Sequence, residues 1–182
     1  LLAHFQVNSR TEVLQKLQVD CRRVSYDSYV FPPERVTAGG TVDMTGHPAC
    51  TTTERVYRLR QQGFLLDIWG AHRKLTDHAY GIYEELAQFP LAKAETINDL
   101  KAYDWPSADW FDFSSLPAEL QTLDSDGEVH IRYRIGSLFE TAWSLRGFEQ
   151  TLIDLVETPE IPGYIMDRIL EVHLANLDAV VK

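Results

Sequence analysis

The sequence predicts an α/β fold in which parallel strands are followed by helices. Residues 129–135 alternate apolar and polar side chains, which is typical of a strand with one buried face. Gly136 then permits a tight turn, and Ser137 can cap the helix that follows. Residues 19–24 predict a second strand. Strands followed by helices in this way favour βα units and a parallel sheet.

The number of these units limits the architecture. About two βα units are visible, whereas a closed (β/α)8 barrel usually needs about 250 residues. The chain has 182 residues, begins at Leu1 and ends in an amphipathic helix with no strand after it. We therefore expect residues 1–182 to form a single domain that is part of a (β/α)8 TIM-type barrel in a longer polypeptide.

Composition and charge narrow the possible partners. The chain carries 17 basic and 27 acidic residues, a net charge of −10. This argues against nucleic acid as the main partner, because phosphate binding needs a basic surface. No apolar run is long enough to cross a membrane, no secretion signal is visible, and two distant cysteines provide no disulfide framework. We expect a cytoplasmic protein that binds neither nucleic acid nor membranes.

The first half of the chain mixes short helices, loops and a hairpin. Ser9 to Glu12 has the pattern of a capping box at the head of a short helix. Residues 25–50 are rich in Pro, Gly and Thr and predict a loop or short hairpin. Residues 55–60 and 64–69 predict a β-hairpin, and residues 72–78 are expected to form an exposed loop.

The second half is mainly helical. Thr96 caps a short helix, residues 115–123 predict another, and residues 147–156 predict a third. The apolar face of this third helix consists of Phe148, Leu152 and Leu155. Pro159 lies just inside the start of the last helix, as is common. The apolar stripe of that helix is Ile161, Ile165, Ile169, Val172 and Val180.

The polar face of the strand at residues 129–135 is the first candidate site. His130, Arg132 and Arg134 share this face, and unpaired charge is expensive to bury. They are predicted to line the barrel interior and to bind an acidic substrate, with Arg134 nearest the mouth. The alternative is that they form structural ion pairs or face solvent on an edge strand.

A second candidate pair lies at the end of the predicted hairpin. Asp67 could accept hydrogen bonds from a substrate or orient an arginine, and Trp69 could stack on a flat ligand. The alternative is structural: the indole packs on the body of the protein, and the carboxylate satisfies a turn.

The helix after residue 137 supplies a third group. Glu140, Trp143 and Arg146 recur at helical spacing and could present a carboxylate, a ring and a cation towards the barrel mouth. The amino end of this helix would also favour an anion. Alternatively, the tryptophan belongs to the core and the glutamate caps a neighbouring loop.

Possible metal ligands occur between residues 72 and 78. His72, Asp77 and His78 include two imidazoles, but their spacing fits no standard zinc pattern. We expect no metal ligands within this chain.

An ordered set of short motifs resembles the uroporphyrinogen decarboxylase superfamily, and the closer match is to its divergent, methyltransferase-like bacterial branch. The resemblance extends from about residue 17 onward and depends on the order of the motifs rather than on any single one. These motifs are Asp67 to Gly70, Gly81 to Tyr83, Pro90-Leu91, Thr96 to Leu100, Tyr103 to Pro106, and Leu138 to Gly147.

The resemblance implies the N-terminal half of an (α/β)8 barrel with its site at the carboxyl-terminal mouth of the strands. Within such a site, the catalytic candidates are Asp67 and Glu140. The substrate-binding candidates are Trp69, His130, Arg132, Arg134, Trp143 and Arg146.

Two departures from the decarboxylase pattern bear on the reaction. No match is found for its arginine-rich motif near the amino terminus, and Trp143 falls near the position of its conserved tyrosine. The family's methyltransferases bind zinc through a His-x-Cys pair and a later Cys, which would lie beyond Lys182. The resemblance therefore implies no cofactor within this chain, and zinc and a corrinoid in the complete protein.

The predicted function is an enzyme that transfers methyl groups between a corrinoid and a thiol or another small molecule. The first alternative is decarboxylation of a uroporphyrinogen-type tetrapyrrole. The second is an inactive fragment or binding module that pairs with another chain. In that case exposed strand edges would be buried in a homodimer or a complementing chain.

Overall fold

The computed structural model describes residues 2–44 and 56–182. Residues 45–50 of the predicted loop and Arg55 of the predicted hairpin lie outside the described residues. Two short 3-10 turns cover Tyr26–Ser28 and Ala108–Trp110. The helices and strands are, in chain order, α1 (Leu2–Phe5), α2 (Arg10–Lys16), β1 (Cys21–Ser25), α3 (Glu34–Thr37), β2 (Thr41–Asp43), β3 (Arg58–Gln61), β4 (Phe64–Leu66), β5 (His72–His78), β6 (Gly81–Gln88), α4 (Ile97–Lys101), α5 (Leu116–Leu123), β7 (His130–Arg134), α6 (Leu138–Arg146), α7 (Phe148–Glu157) and α8 (Glu160–Val180).

The first sheet is the predicted parallel pair. Strands β1 and β7 run parallel along their full length, with Ser25 opposite Arg134. The alternation of faces is also confirmed: Ile131 and Tyr133 are half-buried, whereas the polar residues between them are exposed. Because parallel strands end at the same edge, the carboxyl ends of β1 and β7 lie side by side.

The second sheet is antiparallel and contains β2 to β6 in chain order. The predicted hairpin is confirmed as β3 and β4, joined by Gln62 and Gly63, whose φ angles of 50° and 82° suit a tight hairpin turn. The prediction of an exposed loop at residues 72–78 is wrong. This segment is β5, which pairs with β6, and its polar sequence hides the strand because most of its side chains stay accessible.

The predicted helix starts are confirmed by their hydrogen bonds. Ser9 Oγ accepts from Glu12 N–H at 3.2 Å and donates to the Glu12 carboxylate at 2.8 Å. Thr96 forms a capping box with Asp99 at the start of α4. Ser137 Oγ accepts from the backbone N–H of Glu140 at 3.3 Å and so fixes the turn from β7 into α6.

The main core lies beneath the last helix. Ile161, Ile165, Ile169 and Val172 of α8 are buried as predicted, and they belong to one cluster with Trp69, Leu100, Trp105 and Leu145. Helix α7 differs from the prediction: Phe148, Leu152 and Leu155 share a face, but that face is exposed, and Thr151 and Asp154 are the residues that α7 buries.

The α/β class is therefore confirmed, whereas the (β/α)8 barrel stays a prediction. Within residues 2–44 and 56–182, the strands form a two-stranded parallel sheet and a five-stranded antiparallel sheet, and nothing closes into a barrel. None of the described helices is both long and apolar enough to span a bilayer.

Candidate functional site

A cavity of about 150 Å³ lies at the carboxyl ends of β1 and β7. The turn after β1, the last residue of β7 and the start of α6 form one side of it, and β3 and the β4–β5 connection form the other. This is the edge at which α/β proteins bind ligands, because loops and helix amino ends meet there. Five of the eight predicted site residues line the cavity: Asp67, Trp69, Arg134, Glu140 and Trp143.

Arg134 is the cation of the cavity without a hydrogen-bonded or ion-paired partner among the described residues. It is the final residue of β7, so its side chain emerges at the strand end. Gly136 follows with φ 114°, and Ser137 begins the cap of α6. The turn is tight enough to bring Arg134 and Glu140 into the same cavity wall.

Asp67 is held by its own turn. Its Oδ1 atom accepts from the backbone N–H groups of Trp69 at 3.0 Å and Ala71 at 3.1 Å. Its Oδ2 atom accepts from the Arg73 guanidinium at 3.3 and 3.4 Å. Asp67 thus satisfies the β4–β5 turn, as in the structural alternative, and orients Arg73, as in the functional one, while remaining on the cavity wall.

Arg58 is also paired. Its guanidinium donates to both carboxylate oxygens of Glu84, at 3.0 to 3.2 Å. Burial opposes the charged form, but the hydrogen bonds and charge of Glu84 outweigh it and raise the pKa of Arg58. This ion pair joins β3 to β6 and leaves little of the Arg58 charge for a ligand.

The cavity is close to charge balance. Arg58, Arg73 and Arg134 line it together with three carboxylates, those of Asp27, Asp67 and Glu140. Asp27 Oδ1 is buried without a hydrogen-bond partner among the described residues. The Glu140 side chain likewise makes no hydrogen bond or ion pair with them. The groups left for a ligand are therefore one guanidinium and two carboxylates.

Aromatic side chains stiffen the floor of the cavity. Tyr26 and Trp69 are almost fully buried, and the Trp69 indole N–H donates to the Tyr26 hydroxyl at 3.1 Å. Burial, with a smaller contribution from the Asp27 charge, raises the pKa of Tyr26, so its hydroxyl stays protonated. The Tyr103 hydroxyl donates to the Trp69 carbonyl at 2.7 Å and fixes the backbone at this point.

His173 of α8 lies directly behind this floor. Its ring packs edge-on against Trp69, with centroids 5.7 Å apart, and lies 6.2 Å from the Tyr26 ring. A Cβ atom placed on Gly136 would lie 2.8 Å from His173 Nε2, so a larger residue at this position would have to displace the imidazole. Burial lowers the pKa of His173, which favours the neutral imidazole.

Three predicted residues lie outside the cavity. His130 and Arg132 are exposed on the same strand face as Arg134. Because a strand rises about 3.3 Å per residue, only its last residue reaches the end of the sheet. Arg146 points into the protein instead, where it is buried and bonded to Asp154 and to the carbonyls of Leu91, Ala92 and Ala94.

Sequence reasoning missed several cavity residues. Tyr26 and Asp27 directly follow β1, so the rule that pointed to Arg134 at the end of β7 would have found them too. Arg58 and Arg73 had no such signal, because they come from the antiparallel sheet and reach the cavity through tertiary packing.

The part of the chain that the structure describes contains no group of three or more His, Cys, Asp or Glu side chains that could hold a metal ion. No chemical step at these residues is assigned to zinc. Comparisons with protein-family models, with curated proteins and with solved structures find no match to this chain.

Proposed function

We propose that this chain forms part of an enzyme of the uroporphyrinogen decarboxylase superfamily, and that its cavity binds a small polar substrate for corrinoid-linked methyl transfer. The observation that carries the proposal is the position of Arg134, which ends a parallel strand and lines a cavity next to the capped start of α6. Enzymes built on parallel barrels place their sites at this end of the strands.

In this proposal each group has a distinct part. Arg134 binds an anionic group of the substrate through charge-assisted hydrogen bonds. Glu140 accepts a proton or hydrogen bond from the reacting group, since its carboxylate has no competing partner among the described residues. Asp67 acts through Arg73 and the turn, whereas Trp143 forms part of the wall.

The size and charge of the cavity favour a small molecule over a tetrapyrrole. A volume of about 150 Å³ is below the roughly 300–1,000 Å³ of pockets that enclose drug-sized ligands. A substrate with many carboxylates would need several unpaired cations, and Arg58 and Arg73 already pair with Glu84 and Asp67. These features support methyl transfer over decarboxylation of uroporphyrinogen.

Two assays on the polypeptide that carries this chain test the proposal. In the first, methylcobalamin and a small thiol are supplied, and loss of the methyl–cobalt absorbance is followed. In the second, uroporphyrinogen III is supplied, and coproporphyrinogen is measured. Turnover in the first assay supports the proposal, turnover in the second alone establishes the decarboxylase alternative, and turnover in neither contradicts both.

A binding module that pairs with another chain is the second candidate. Strands β1 and β7 pair only with each other among the described strands, so each leaves one ladder edge open. Isolated parallel pairs are uncommon, because parallel sheets are usually larger and covered on both faces. Helix α7 also exposes its apolar face, and α8 exposes Leu170, Leu174 and Leu177.

Light scattering coupled to size-exclusion chromatography tests this second candidate. A dimer, or a stable complex with a second chain, supports pairing. A well-behaved monomer of 20.8 kDa that resists aggregation contradicts it, because open edges and apolar stripes would then be stable in water.

A further inference from the structure

A second cavity lies beside β1, between α2 and α5, and has a volume of about 430 Å³. The 3-10 turn Tyr26–Ser28 separates it from the candidate site. Tyr26 and Asp27 line the candidate site, whereas Ser25 and Ser28 line this second cavity. The two cavities are therefore neighbours that share one short wall.

The second cavity is lined by a buried cation. Arg22 is only 7% exposed, and its Nη1 atom donates to the carbonyls of Val19 at 2.7 Å and Cys21 at 3.1 Å. Its Nε is buried without a partner, and Arg22 pairs with no carboxylate among the described residues. A guanidinium buried without a counter-charge is unfavourable.

The position of Arg22 follows from the ladder of β1. Asp20 accepts from His130 N–H at 2.7 Å, so its carbonyl points towards β7, and the carbonyl of Cys21 points to the open edge. The Arg22 side chain folds along this edge and covers unpaired carbonyl oxygens, as charged side chains often do at sheet edges. This role accounts for Nη1 but leaves Nε without an acceptor among the described residues.

The exposed side chain of Arg23 also lines the cavity, and the remaining polar groups are mainly hydroxyls. They belong to Thr11, Ser25, Ser28 and Ser115, and Ser25 Oγ is itself buried without a partner among the described residues. The one acid among the lining residues is Glu119, and its carboxylate already accepts from the Tyr29 hydroxyl at 2.6 Å. The walls thus combine a buried cation, an exposed cation and hydroxyl groups.

We propose that this second cavity binds a small molecule through its phosphate or carboxylate group, with Arg22 as the principal contact. An anion there supplies the missing counter-charge, and a planar guanidinium binds either group through paired hydrogen bonds. The volume lies within the range of small-molecule pockets. The proposal does not depend on the reaction assigned to the neighbouring site.

Calorimetric titrations with inorganic phosphate and with succinate test the proposal and distinguish the two anion types. The wild-type chain is compared with R22M, with R22K and with R35M, a matched removal of an exposed arginine. We expect saturable binding of at least one anion, a loss of affinity of at least tenfold in R22M, and unchanged affinity in R35M. Amide shifts in NMR spectra should move at residues 21–28.

Two results would overturn the proposal: no saturable binding of either anion to the wild type, or equal affinities for wild type and R22M. If circular dichroism shows that R22M does not fold, R22K decides the matter. Lysine keeps the charge but lacks the planar fork of arginine. Unchanged anion affinity in R22K, or amide shifts confined to residues outside 21–28, would therefore also contradict the proposal.

Discussion

Arg146 Nε lies 2.7 Å from Asp154 Oδ2, and this buried contact joins the end of α6 to α7. Nη1 of the same guanidinium donates to the carbonyls of Leu91 and Ala94 at 2.7 and 2.6 Å. Arg146, which was expected to bind substrate, thus connects two helices and the loop at residues 91–94.

Substitution D154N should therefore destabilise the protein strongly. It leaves the Arg146 charge buried without a counter-charge, and breaking such a pair typically costs about 3–5 kcal/mol. Urea unfolding measures the change, with E149Q as the control because Glu149 is an exposed acid on the same helix. A D154N loss no larger than that of E149Q would contradict the role of this ion pair.

The same contact predicts a loss of stability in acid. Burial alone would raise the pKa of Asp154, but hydrogen bonds from Arg146, Gln150 and Thr158 hold it below its ordinary value of 3.8. The stabilisation is fully present above 3.8 and is lost as pH falls through the lower folded-state value. The urea midpoint of the wild type should fall as the pH is lowered through this range. The part of that fall that is due to Asp154 should be absent in D154N.

His173 predicts a second dependence of stability on pH, in a higher pH range. Burial lowers the pKa of its imidazole below the ordinary value of 6.5. The contribution of His173 to the free energy of unfolding is therefore fully present above pH 6.5, and it declines as the pH falls towards the pKa of the folded state. Substitution H173F keeps a ring against Tyr26 and Trp69 but cannot titrate. The unfolding free energy of H173F should change less than that of the wild type between pH 6.5 and about pH 5, and parallel curves would contradict this prediction.

The turn at Gly136 gives a prediction with a matched control. Both Gly127 and Gly136 have positive φ angles, 74° and 114°, but only a Cβ at residue 136 would collide with His173. Substitution G127A should cost about 1 kcal/mol through backbone strain. G136A should cost at least about twice as much because the clash adds to the strain, and equal losses in urea unfolding would contradict the close approach.

The hydrogen bond between Trp69 and Tyr26 gives a further prediction. Substitution Y26F removes the acceptor and leaves the buried indole N–H unsatisfied, which should cost about 1–3 kcal/mol. The matched control is Y80F, since Tyr80 is 94% exposed and its hydroxyl should contribute almost nothing. Equal unfolding midpoints for the two variants would show that the bond is unimportant.

The sequence predicted those parts of the fold that depend on interactions between neighbouring residues in the chain. The side-chain cap of Ser9, the capping box at Thr96 and the alternation along β7 are properties of a few consecutive residues, and the structure has them. The strand β5 was missed because both of its faces stay largely accessible, so its sequence lacks the apolar alternation by which strands are recognised.

The candidate site was predictable only where it follows from strand direction. Arg134 is the last residue of β7, and Glu140 lies in the first turn of the helix that follows. Because β1 runs parallel to β7, the same reasoning applies to Asp27, which follows the end of β1. Arg146 could not be distinguished from them, because helical spacing alone does not say whether a side chain meets a ligand or a buried aspartate. Arg58 and Arg73 depend on how the two sheets pack, which short motifs do not encode.

The most direct test of the proposed site is the rate of methyl transfer from methylcobalamin to a small thiol in the R134M variant. The polypeptide that carries this chain is compared with R134M and with R35M, which removes an exposed arginine far from the strand ends in sequence. We predict that R134M lowers kcat/KM by at least tenfold, as expected from losing one charge-assisted hydrogen bond, while R35M matches the wild type. Equal kcat/KM values for R134M and the wild type would contradict the assignment of this cavity as the substrate site.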